Sequence, residues 1–263
     1  MIEIKALRSG YRGVEVLHGI DLRMESGRVY GIVGPNGCGK STLLKTIAGL
    51  CPVLSGEVRL NGRRLEELAP AETAKQVAYL PQGRSVPAIT AGRLVLHGRF
   101  PYLSYPRRYR QKDFEIARNA LKWAGAEEFA EKNLSQLSGG QRQRVYIAMT
   151  LAQETGAILM DEPTTYLDIN SKFEVLHLAG RLARMGKTVV LVLHDLDLVL
   201  RYAHEVILLA DGRVRAVGAP EEVCSGIGEC FGVAIRQAAD RGERHYLFSP
   251  AKEKDEKARR PEH

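Results

Sequence analysis

Short apolar runs alternate with stretches of helical periodicity along most of the chain. Residues 29–33, 157–160 and 189–193 form uninterrupted apolar runs, which are typical of central parallel strands covered on both faces. A helical pattern near residues 171–184 separates the last two runs, so this part predicts a strand–helix–strand unit. The sequence therefore predicts an α/β protein with a mostly parallel sheet.

Other regions follow different patterns. The first 30 residues predict short antiparallel strands, because residues 2–4 alternate apolar and charged side chains and Gly10 and Gly13 mark a turn. Residues 84–153 change to helical spacing and predict an inserted helical subdomain. Its periodic apolar positions are Phe114, Ala117, Leu121, Ala124, Val145, Ala148, Met149 and Ala152, and we expect Trp123 to lie in the core of this region.

Two shorter strands and a hairpin complete the prediction. Residues 77–80 predict a strand that Pro81 ends. Residues 205–210 and 214–217 flank Asp211 and Gly212 and predict a hairpin. The last dozen residues are almost wholly charged, so we expect a frayed tail.

Composition excludes several classes of protein. Among 263 residues, 44% are hydrophobic and 26% are charged, as in soluble globular proteins and unlike disordered chains. No apolar run approaches the roughly 18 residues that a membrane span needs, and the first residues lack a signal-peptide pattern. We therefore expect a cytosolic chain. The four cysteines lack metal-ligand spacing and are expected to be free thiols, and the net charge of +7 permits a polyanionic partner.

A phosphate-binding loop is predicted between the first apolar run and a helix. Residues 34–41 fit G-x-x-x-x-G-K-[ST] in that strand-to-helix context, where backbone N–H groups and the helix N-terminus face the phosphates. Lys40 supplies a positive charge to the β/γ-phosphates, and Ser41 is placed for Mg²⁺. The expected ATP-binding residues of this segment are Gly34, Pro35, Asn36, Gly37, Cys38, Gly39, Lys40, Ser41 and Thr42. A bulky thiol reagent at Cys38 should therefore block ATP binding, and ATP should protect against it.

Two carboxylates end the run at residues 157–160. Asp161 is the expected second carboxylate for Mg²⁺, and Glu162 directly follows it. A carboxylate beside the metal ligand can orient or deprotonate a water molecule, which favours hydrolysis over kinase chemistry.

A second glycine-rich segment, Leu-Ser-Gly-Gly-Gln at residues 137–141, precedes another helix and predicts a second anion site. One chain then has two surfaces that would face phosphate groups, which is hard to explain within a monomer. Two chains arranged head to tail, with each surface facing the other, would sandwich two ATP molecules. With these motifs, residues 1 to about 220 resemble the nucleotide-binding subunit of ATP-binding cassette (ABC) transporters.

This resemblance implies further site residues. Tyr11 occupies the position of an aromatic residue that stacks on adenine, and Gln82 that of a glutamine that contacts Mg²⁺ and water and links the core to the helical insert. Asp168 matches a loop that joins the two sites across the dimer, and His194 matches the switch histidine that contacts the γ-phosphate. The segment expected to contact the partner's ATP comprises Ser138, Gly139, Gly140 and Gln141, together with Asp168. The implied catalytic residues are Glu162, His194, Gln82 and Lys40, and the implied Mg²⁺ ligands are Ser41, Gln82 and Asp161.

Two segments are similar to one subgroup of importers. One segment is Pro-Thr-Thr-Tyr-Leu-Asp-Ile at residues 163–169, which contains Thr-Tyr-Leu-Asp, and the other is His-Gly-Arg-Phe-Pro at residues 97–101. Both are similar to importers of iron–siderophores, haem and cobalamin, whose close relatives carry molybdate. The resemblance implies a homodimer, a separate membrane permease, indirectly an extracytoplasmic substrate-binding protein, and a place at the cytoplasmic face of the membrane. A free-standing export ATPase and a soluble ABC ATPase acting on nucleic acid are the alternatives.

Residues 93–112 form a basic stretch with interleaved aromatic residues. Its basic residues are Arg93, Arg99, Arg107, Arg108, Arg110 and Lys112, and its aromatic residues are Phe100, Tyr102, Tyr105 and Tyr109. From composition alone this pattern is also compatible with nucleic acid or with a solvated face. The resemblance favours a permease-docking surface, because the stretch follows Gln82.

The expected organisation is a single ABC ATPase domain over residues 1–263. Residues 1–83 and 154–220 are expected to form the nucleotide-binding core, with a P-loop, a mostly parallel sheet and an N-terminal antiparallel β subdomain. Residues 84–153 would form the helical subdomain, and residues 221–263 a C-terminal extension with the charged tail.

Overall fold

A six-stranded, mostly parallel sheet forms the centre of the computed structural model, which describes residues 1–11, 13–83, 86–240 and 243–251. Its strands are β3 (Val29–Val33), β6 (Val77–Leu80), β7 (Ala157–Asp161), β8 (Thr188–Val192), β9 (Glu205–Ala210) and β10 (Arg213–Gly218). Their order is β10-β9-β3-β8-β7-β6, and only β10 runs antiparallel to its neighbour. The carboxyl ends of β3, β6, β7 and β8 therefore meet at one edge, where open α/β sheets bind ligands.

A second, antiparallel sheet is built from the N-terminal part of the chain. It has the order β2-β1-β4-β5 and comprises β1 (Ile2–Tyr11), β2 (Val14–Met24), β4 (Val53–Leu60) and β5 (Arg63–Arg64). The predicted antiparallel strands are confirmed, although β1 and β2 are long rather than short. Gly10 is required at the tip of this hairpin, because a Cβ there would lie 1.9 Å from the carbonyl oxygen of Val14.

Eight helices lie within the described residues. They are α1 (Lys40–Ile47), α2 (Pro70–Gln76), α3 (Ala91–Leu96), α4 (Gln111–Trp123), α5 (Gly139–Ala152), α6 (Ile169–Arg184), α7 (Leu196–Tyr202) and α8 (Pro220–Phe231). The predicted helical insert corresponds to α3, α4 and α5. None of these helices combines the length and the apolar character that crossing a membrane requires.

The central sheet separates two apolar clusters, because alternate side chains of a strand point to opposite faces. In β3, Tyr30 and Ile32 face the cluster that contains α1 and the antiparallel sheet. Val29 and Val33 face the other cluster, which contains the helical insert and α6 to α8. Both faces of the central strands are thus covered, as their uninterrupted apolar runs indicated, and the predicted α/β class is confirmed.

The end of the helical insert is fastened to the start of β6. The side-chain amide of Gln153 donates hydrogen bonds to the carbonyl oxygens of Ala74, at 2.5 Å, and of Val77, at 3.2 Å. The hydroxyl of Tyr102 donates to the carbonyl oxygen of Gln153 at 2.9 Å. Because β6 leads directly to Gln82, the insert and the predicted site are connected through this strand.

Two expectations for the helical insert are wrong. Trp123 is 42% exposed, and the guanidinium of Arg181 lies 4.8 Å from the centroid of its ring. Trp123 is therefore not a core residue, because the apolar cluster does not fully cover the face of α4 on which it lies.

The second wrong expectation is that Arg99 belongs to an exposed basic surface. Arg99 is only 4% exposed, and it pairs with Asp113 at 3.1 Å and with Glu154 at 2.8 Å.

The described residues after residue 220 form a helix and two strands. After α8, the strands β11 (Val233–Asp240) and β12 (Glu243–Pro250) form an antiparallel hairpin. Tyr246 of this hairpin is buried, and its backbone N–H donates to Asp197 Oδ1 of α7 at 3.4 Å. The charged tail predicted at residues 252–263 lies outside the described residues.

Candidate functional site

A cavity of about 400 Å³ opens at the carboxyl edge of the central sheet. It brings together residues that lie far apart in the sequence: Val16, Asn36, Gly37, Gly39, Lys40, Ser41, Thr42, Gln82, Glu162 and His194. The cavity thus unites the glycine-rich loop with the glutamine, the glutamate and the histidine that the sequence singled out. Val16 was not predicted, and nothing in its local sequence marks it.

The backbone of the glycine-rich loop needs glycine at two positions for steric reasons. A Cβ at Gly34 would lie 1.9 Å from the carbonyl oxygen of Leu209, and one at Gly39 would lie 2.7 Å from Leu17 Cδ2. Gly39 also has a φ of 105°, which other residues rarely adopt. It directly precedes α1, whose N-terminus has no side-chain cap, so the first N–H groups of α1 are free for an anion.

The amino group of Lys40 is hydrogen-bonded to the backbone of the glycine-rich loop. Lys40 is 7% exposed, and its Nζ donates to the carbonyl oxygens of Gly34, at 2.8 Å, and Pro35, at 2.9 Å. The positive charge is therefore held against the loop that would surround the phosphates.

Glu162 is held by donors from three segments. Gln82 Nε2 donates to Glu162 Oε2 at 2.5 Å, and His194 Nε2 lies 2.5 Å from Glu162 Oε1. The hydroxyl of Thr165 also donates to Oε2, at 3.1 Å. The backbone of Glu162 has a φ of 51°, and its N–H donates to the carbonyl oxygen of Val192 at 3.0 Å. Thr165 was missed as a site residue, although it lies within the Thr-Tyr-Leu-Asp segment that was noted.

The buried carboxylate of Asp161 bears on whether the site can bind Mg²⁺. It is 2% exposed, and its Oδ2 accepts a hydrogen bond from the Tyr79 hydroxyl at 3.1 Å. Its Oδ1 is buried and has no hydrogen-bond partner among the described residues. A buried carboxylate oxygen without a partner is costly, and a hard cation satisfies it. The donor set of Asp161, Ser41 and Gln82 therefore fits Mg²⁺.

Tyr11 lies at the end of β1 and is not among the residues that line the cavity, but it contacts one of them. Its ring is 40% exposed, with Lys45 Nζ at 6.0 Å from the centroid. Burial of the hydroxyl, together with its hydrogen bond to Cys51, raises the pKa of Tyr11, while a hydrogen bond from Thr42 acts in the opposite direction. The hydroxyl thus connects the aromatic ring to α1.

The residues 138–141 lie away from this cavity, at the exposed start of α5. Ser138 Oγ accepts the N–H of Gln141 at 3.3 Å, and Gln141 Oε1 accepts the N–H of Ser138 at 3.0 Å, which is a capping box. The structure therefore presents Ser138, Gly139 and Gly140 to the outside of the chain rather than to its own glycine-rich loop.

Asp168 lies beside this exposed segment. Its carboxylate accepts the N–H and the hydroxyl of Ser171, at 2.9 Å and 2.8 Å, and these hydrogen bonds lower the pKa of Asp168. A Cβ at Gly140 would lie 2.5 Å from Ser171 Oγ, so the start of α5 packs closely against the start of α6. Tyr166, between Glu162 and Asp168, is 99% exposed.

The sequence pattern of the family described as "ABC transporter" matches residues 17–165. The chain belongs to the ABC transporter family. It is 44% identical over 243 residues to YusV of Bacillus subtilis (strain 168), named a probable siderophore transport system ATP-binding protein, and the match covers 91% of this chain and 88% of YusV. The resemblance inferred from the motifs is thus confirmed, and the chain is an ATPase of this family.

Two solved structures of the ABC transporter family share its fold. A metal-chelate type ABC transporter in an inward-facing conformation superposes with a TM-score of 0.80 at 27% identity, covering 95% of this chain and 96% of that one. A dimeric ATP-binding cassette bound to ADP and Pi superposes with a TM-score of 0.73 at 31% identity, covering 84% of this chain and 99% of that one.

Proposed function

We propose that this ABC ATPase hydrolyses Mg-ATP in the described cavity and powers the import of an iron–siderophore through a separate membrane permease. The observation that carries the catalytic part is the position of Glu162, which Gln82 and His194 hold at the mouth of the glycine-rich loop. The class of transported substrate is inferred from YusV, whose name refers to siderophore transport.

The residues around the cavity suggest a division of roles in hydrolysis. Lys40 and the N–H groups of the loop bind the β/γ-phosphates, and Glu162 orients the attacking water molecule and accepts its proton. His194 and Gln82 keep the Glu162 carboxylate in place and contact the γ-phosphate and the water. Mg²⁺, held by Ser41, Gln82 and Asp161, would supply charge neutralisation for the transferred phosphoryl group.

The exposed start of α5 supports a head-to-tail homodimer. Ser138 and the N-terminus of α5 face away from the chain's own cavity, so a second copy is needed to place them against a γ-phosphate. Asp168 and Tyr166 lie next to this surface and would lie at the contact between the copies. The dimeric cassette with ADP and Pi is a solved precedent for a dimer of ATP-binding cassettes.

A groove on the helical insert is the proposed docking site for the permease. It has a volume of about 530 Å³ and lies between α3, α4 and the segment that follows α4. Its lining residues are Thr90, Gly92, Arg93, Leu96, Phe114, Ala117, Arg118, Leu121, Glu127, Ala130 and Glu131. Its partly apolar wall, flanked by Arg93 and Arg118, suits a short amphipathic helix. This docking places the ATPase peripherally at the cytoplasmic face of the membrane, with a substrate-binding protein reached only through the permease.

Uptake in a strain that lacks this chain tests the proposal. We expect selective loss of uptake of one labelled iron–siderophore, restored by the wild type and by Lys122→Ala on an exposed face, but not by Lys40→Ala. Haem, cobalamin and molybdate are measured in parallel. Unchanged uptake of all four classes of substrate would contradict the import function and would direct attention to export or to nucleic acid.

A further inference from the structure

The structure divides the basic stretch of residues 93–112 into an anchored part and an exposed part. Arg99 is buried in its ion pairs, and Arg93 lines the groove on the helical insert. Residues 103–112, which we term the basic loop and which end in the first two residues of α4, are instead mostly exposed. Its cationic residues are exposed and form no ion pair with any described residue: Arg107, Arg108, Arg110 and Lys112.

The basic loop combines a concentration of positive charge with an aromatic residue at its surface. No Asp or Glu occurs from residue 92 to residue 112, and the carboxylate that follows, Asp113, is buried and pairs with Arg99. Tyr105 is 97% exposed and directly precedes the Pro-Arg-Arg sequence. Tyrosine is enriched in interfacial environments, in which one end of the side chain is in apolar surroundings and the other is hydrated.

Packing at the base of the loop gives it a defined position. The ring centroid of Tyr109 lies 6.0 Å from that of Phe100 and 6.1 Å from that of Phe114, both in edge-to-face geometry. Asp113 Oδ2 accepts the backbone N–H of Arg110 at 2.9 Å, while its Oδ1 accepts from Arg99 at 3.1 Å. Tyr109 and Arg110 therefore hold the C-terminal part of the loop to the helical insert, and the charged side chains stay exposed.

Phe114 connects the basic loop to the groove proposed for the permease. It lines that groove, and its ring packs edge-to-face against that of Tyr109 in the loop. If the groove receives the permease, the neighbouring basic loop lies beside the permease. Because the permease is embedded in the bilayer, the loop then lies near the headgroup layer. This step rests on the proposed function.

We propose that the basic loop binds anionic phospholipid headgroups next to the permease. Arginine and lysine extend charged groups on flexible stems, and tyrosine favours the interface between headgroups and acyl chains. A second protein chain would have to place a matching carboxylate opposite each of four adjacent cations in a fixed geometry. A fluid anionic surface supplies such countercharges without a fixed geometry.

Vesicle sedimentation of the purified full chain tests this proposal without the permease. Vesicles of phosphatidylcholine alone are compared with vesicles of equal parts phosphatidylcholine and phosphatidylglycerol. The variant is Arg107→Gln/Arg108→Gln. The matched control is Lys122→Gln/Arg184→Gln, at two exposed cations elsewhere on the insert and core that form no ion pair with a described residue. Each pair of substitutions lowers the net charge of +7 by two.

We expect the wild type to sediment with the anionic vesicles only. Each basic residue near such a surface contributes roughly fivefold to binding, so the loop variant should lose about 30-fold in the ratio of bound to free protein. The control should lose less than about fivefold, and raising salt from about 0.1 M to about 1 M should abolish binding, since the Debye length falls from about 10 Å to about 3 Å.

Three results would overturn the proposal. Equal losses in both variants would mean general attraction by the net charge, and equal binding to both kinds of vesicle would exclude headgroup recognition. Absence of wild-type binding would assign the loop to a protein contact or to solvent. ATP hydrolysis by the loop variant, measured alongside, separates this failure from a failure of the proposed function, because the loop contributes no residue to the ATP cavity.

Discussion

His194 Nε2 lies 2.5 Å from Glu162 Oε1, so the side chains that follow β8 and β7 are joined across the edge of the sheet. The other carboxylate oxygen accepts from Gln82 and Thr165. Donors from separate segments thus fix the orientation of the carboxylate. Such preorganisation lowers the reorganisation needed when charge develops during the reaction.

Glu162→Gln should abolish hydrolysis while preserving ATP binding. An amide cannot accept a proton from water, so we expect phosphate release to fall by about 10²–10⁴-fold. An ATP-bound dimer should then accumulate, which light scattering at saturating Mg-ATP would detect. Glu128→Gln, on an exposed carboxylate, is the control. A monomeric Glu162→Gln variant under these conditions would contradict the head-to-tail dimer.

Thr165→Val should reduce kcat without a comparable change in the KM for ATP. The substitution keeps the side-chain shape and removes the hydroxyl that donates to Glu162 Oε2. Loss of one hydrogen bond to a charged group corresponds to about 1.5 kcal/mol, or roughly tenfold in rate. Thr165→Ser retains the donor and should restore most of the activity. If Thr165→Ser is as slow as Thr165→Val, the hydroxyl does not position Glu162.

Tyr11→Ala should weaken ATP binding, and Tyr11→Phe should largely preserve it. Stacking of a base on an aromatic ring is worth about 1–3 kcal/mol, so we expect roughly 5- to 150-fold weaker binding of ATP to Tyr11→Ala. Titration with inorganic triphosphate, which has no base, provides the control, because its affinity should not change. An equal loss for both ligands would mean that Tyr11 supports the loop and not the base.

Asp113→Asn should destabilise the fold in a pH-dependent manner. Burial raises the pKa of Asp113, but the N–H of Arg110 and the guanidinium of Arg99 outweigh it, and the net pKa is lowered. A lowered pKa contributes stability above the ordinary value, near 3.9, which is lost as the pH falls through the folded-state value. Urea unfolding should therefore show a loss of about 2–4 kcal/mol at neutral pH that shrinks towards pH 3. A loss independent of pH would assign the effect to packing alone.

Cys38 should react slowly with alkylating reagents despite its place in the glycine-rich loop. Burial raises the pKa of the Cys38 thiol, and this effect exceeds the opposing influence of Lys40. Since only the thiolate reacts, we expect labelling by iodoacetamide at neutral pH to be slower than for an exposed cysteine with a pKa near 8.5. Bound ATP should slow it further, and Cys38→Ser identifies the labelled site. Rapid labelling unaffected by ATP would contradict the predicted contact.

The cavity could be predicted from the sequence because its residues follow buried strands. Parallel strands bring their carboxyl ends to one edge, so Gln82 after β6, Glu162 after β7 and His194 after β8 had to lie near the glycine-rich loop after β3. Their roles came from the resemblance to a family and remain predictions.

The errors concern residues whose environment is set by distant segments. Periodicity placed Trp123 on the apolar face of α4, but only the position of α6 determines that Arg181 covers its ring and leaves it partly exposed. Arg99 lies in a basic stretch, yet its partners Asp113 and Glu154 come from two other segments. The pairing of β11 with β12 was likewise not predicted from the charged C-terminal region.

The attachment of Gln153 to the start of β6 has a thermodynamic consequence. One end of this strand is fixed to the helical insert, which carries the basic loop, and its other end leads to Gln82 in the ATP cavity. Any influence of nucleotide on what the insert binds must then be reciprocal. If the basic loop binds anionic lipid as proposed, the factor by which ATP changes the affinity for lipid equals the factor by which lipid changes the affinity for ATP.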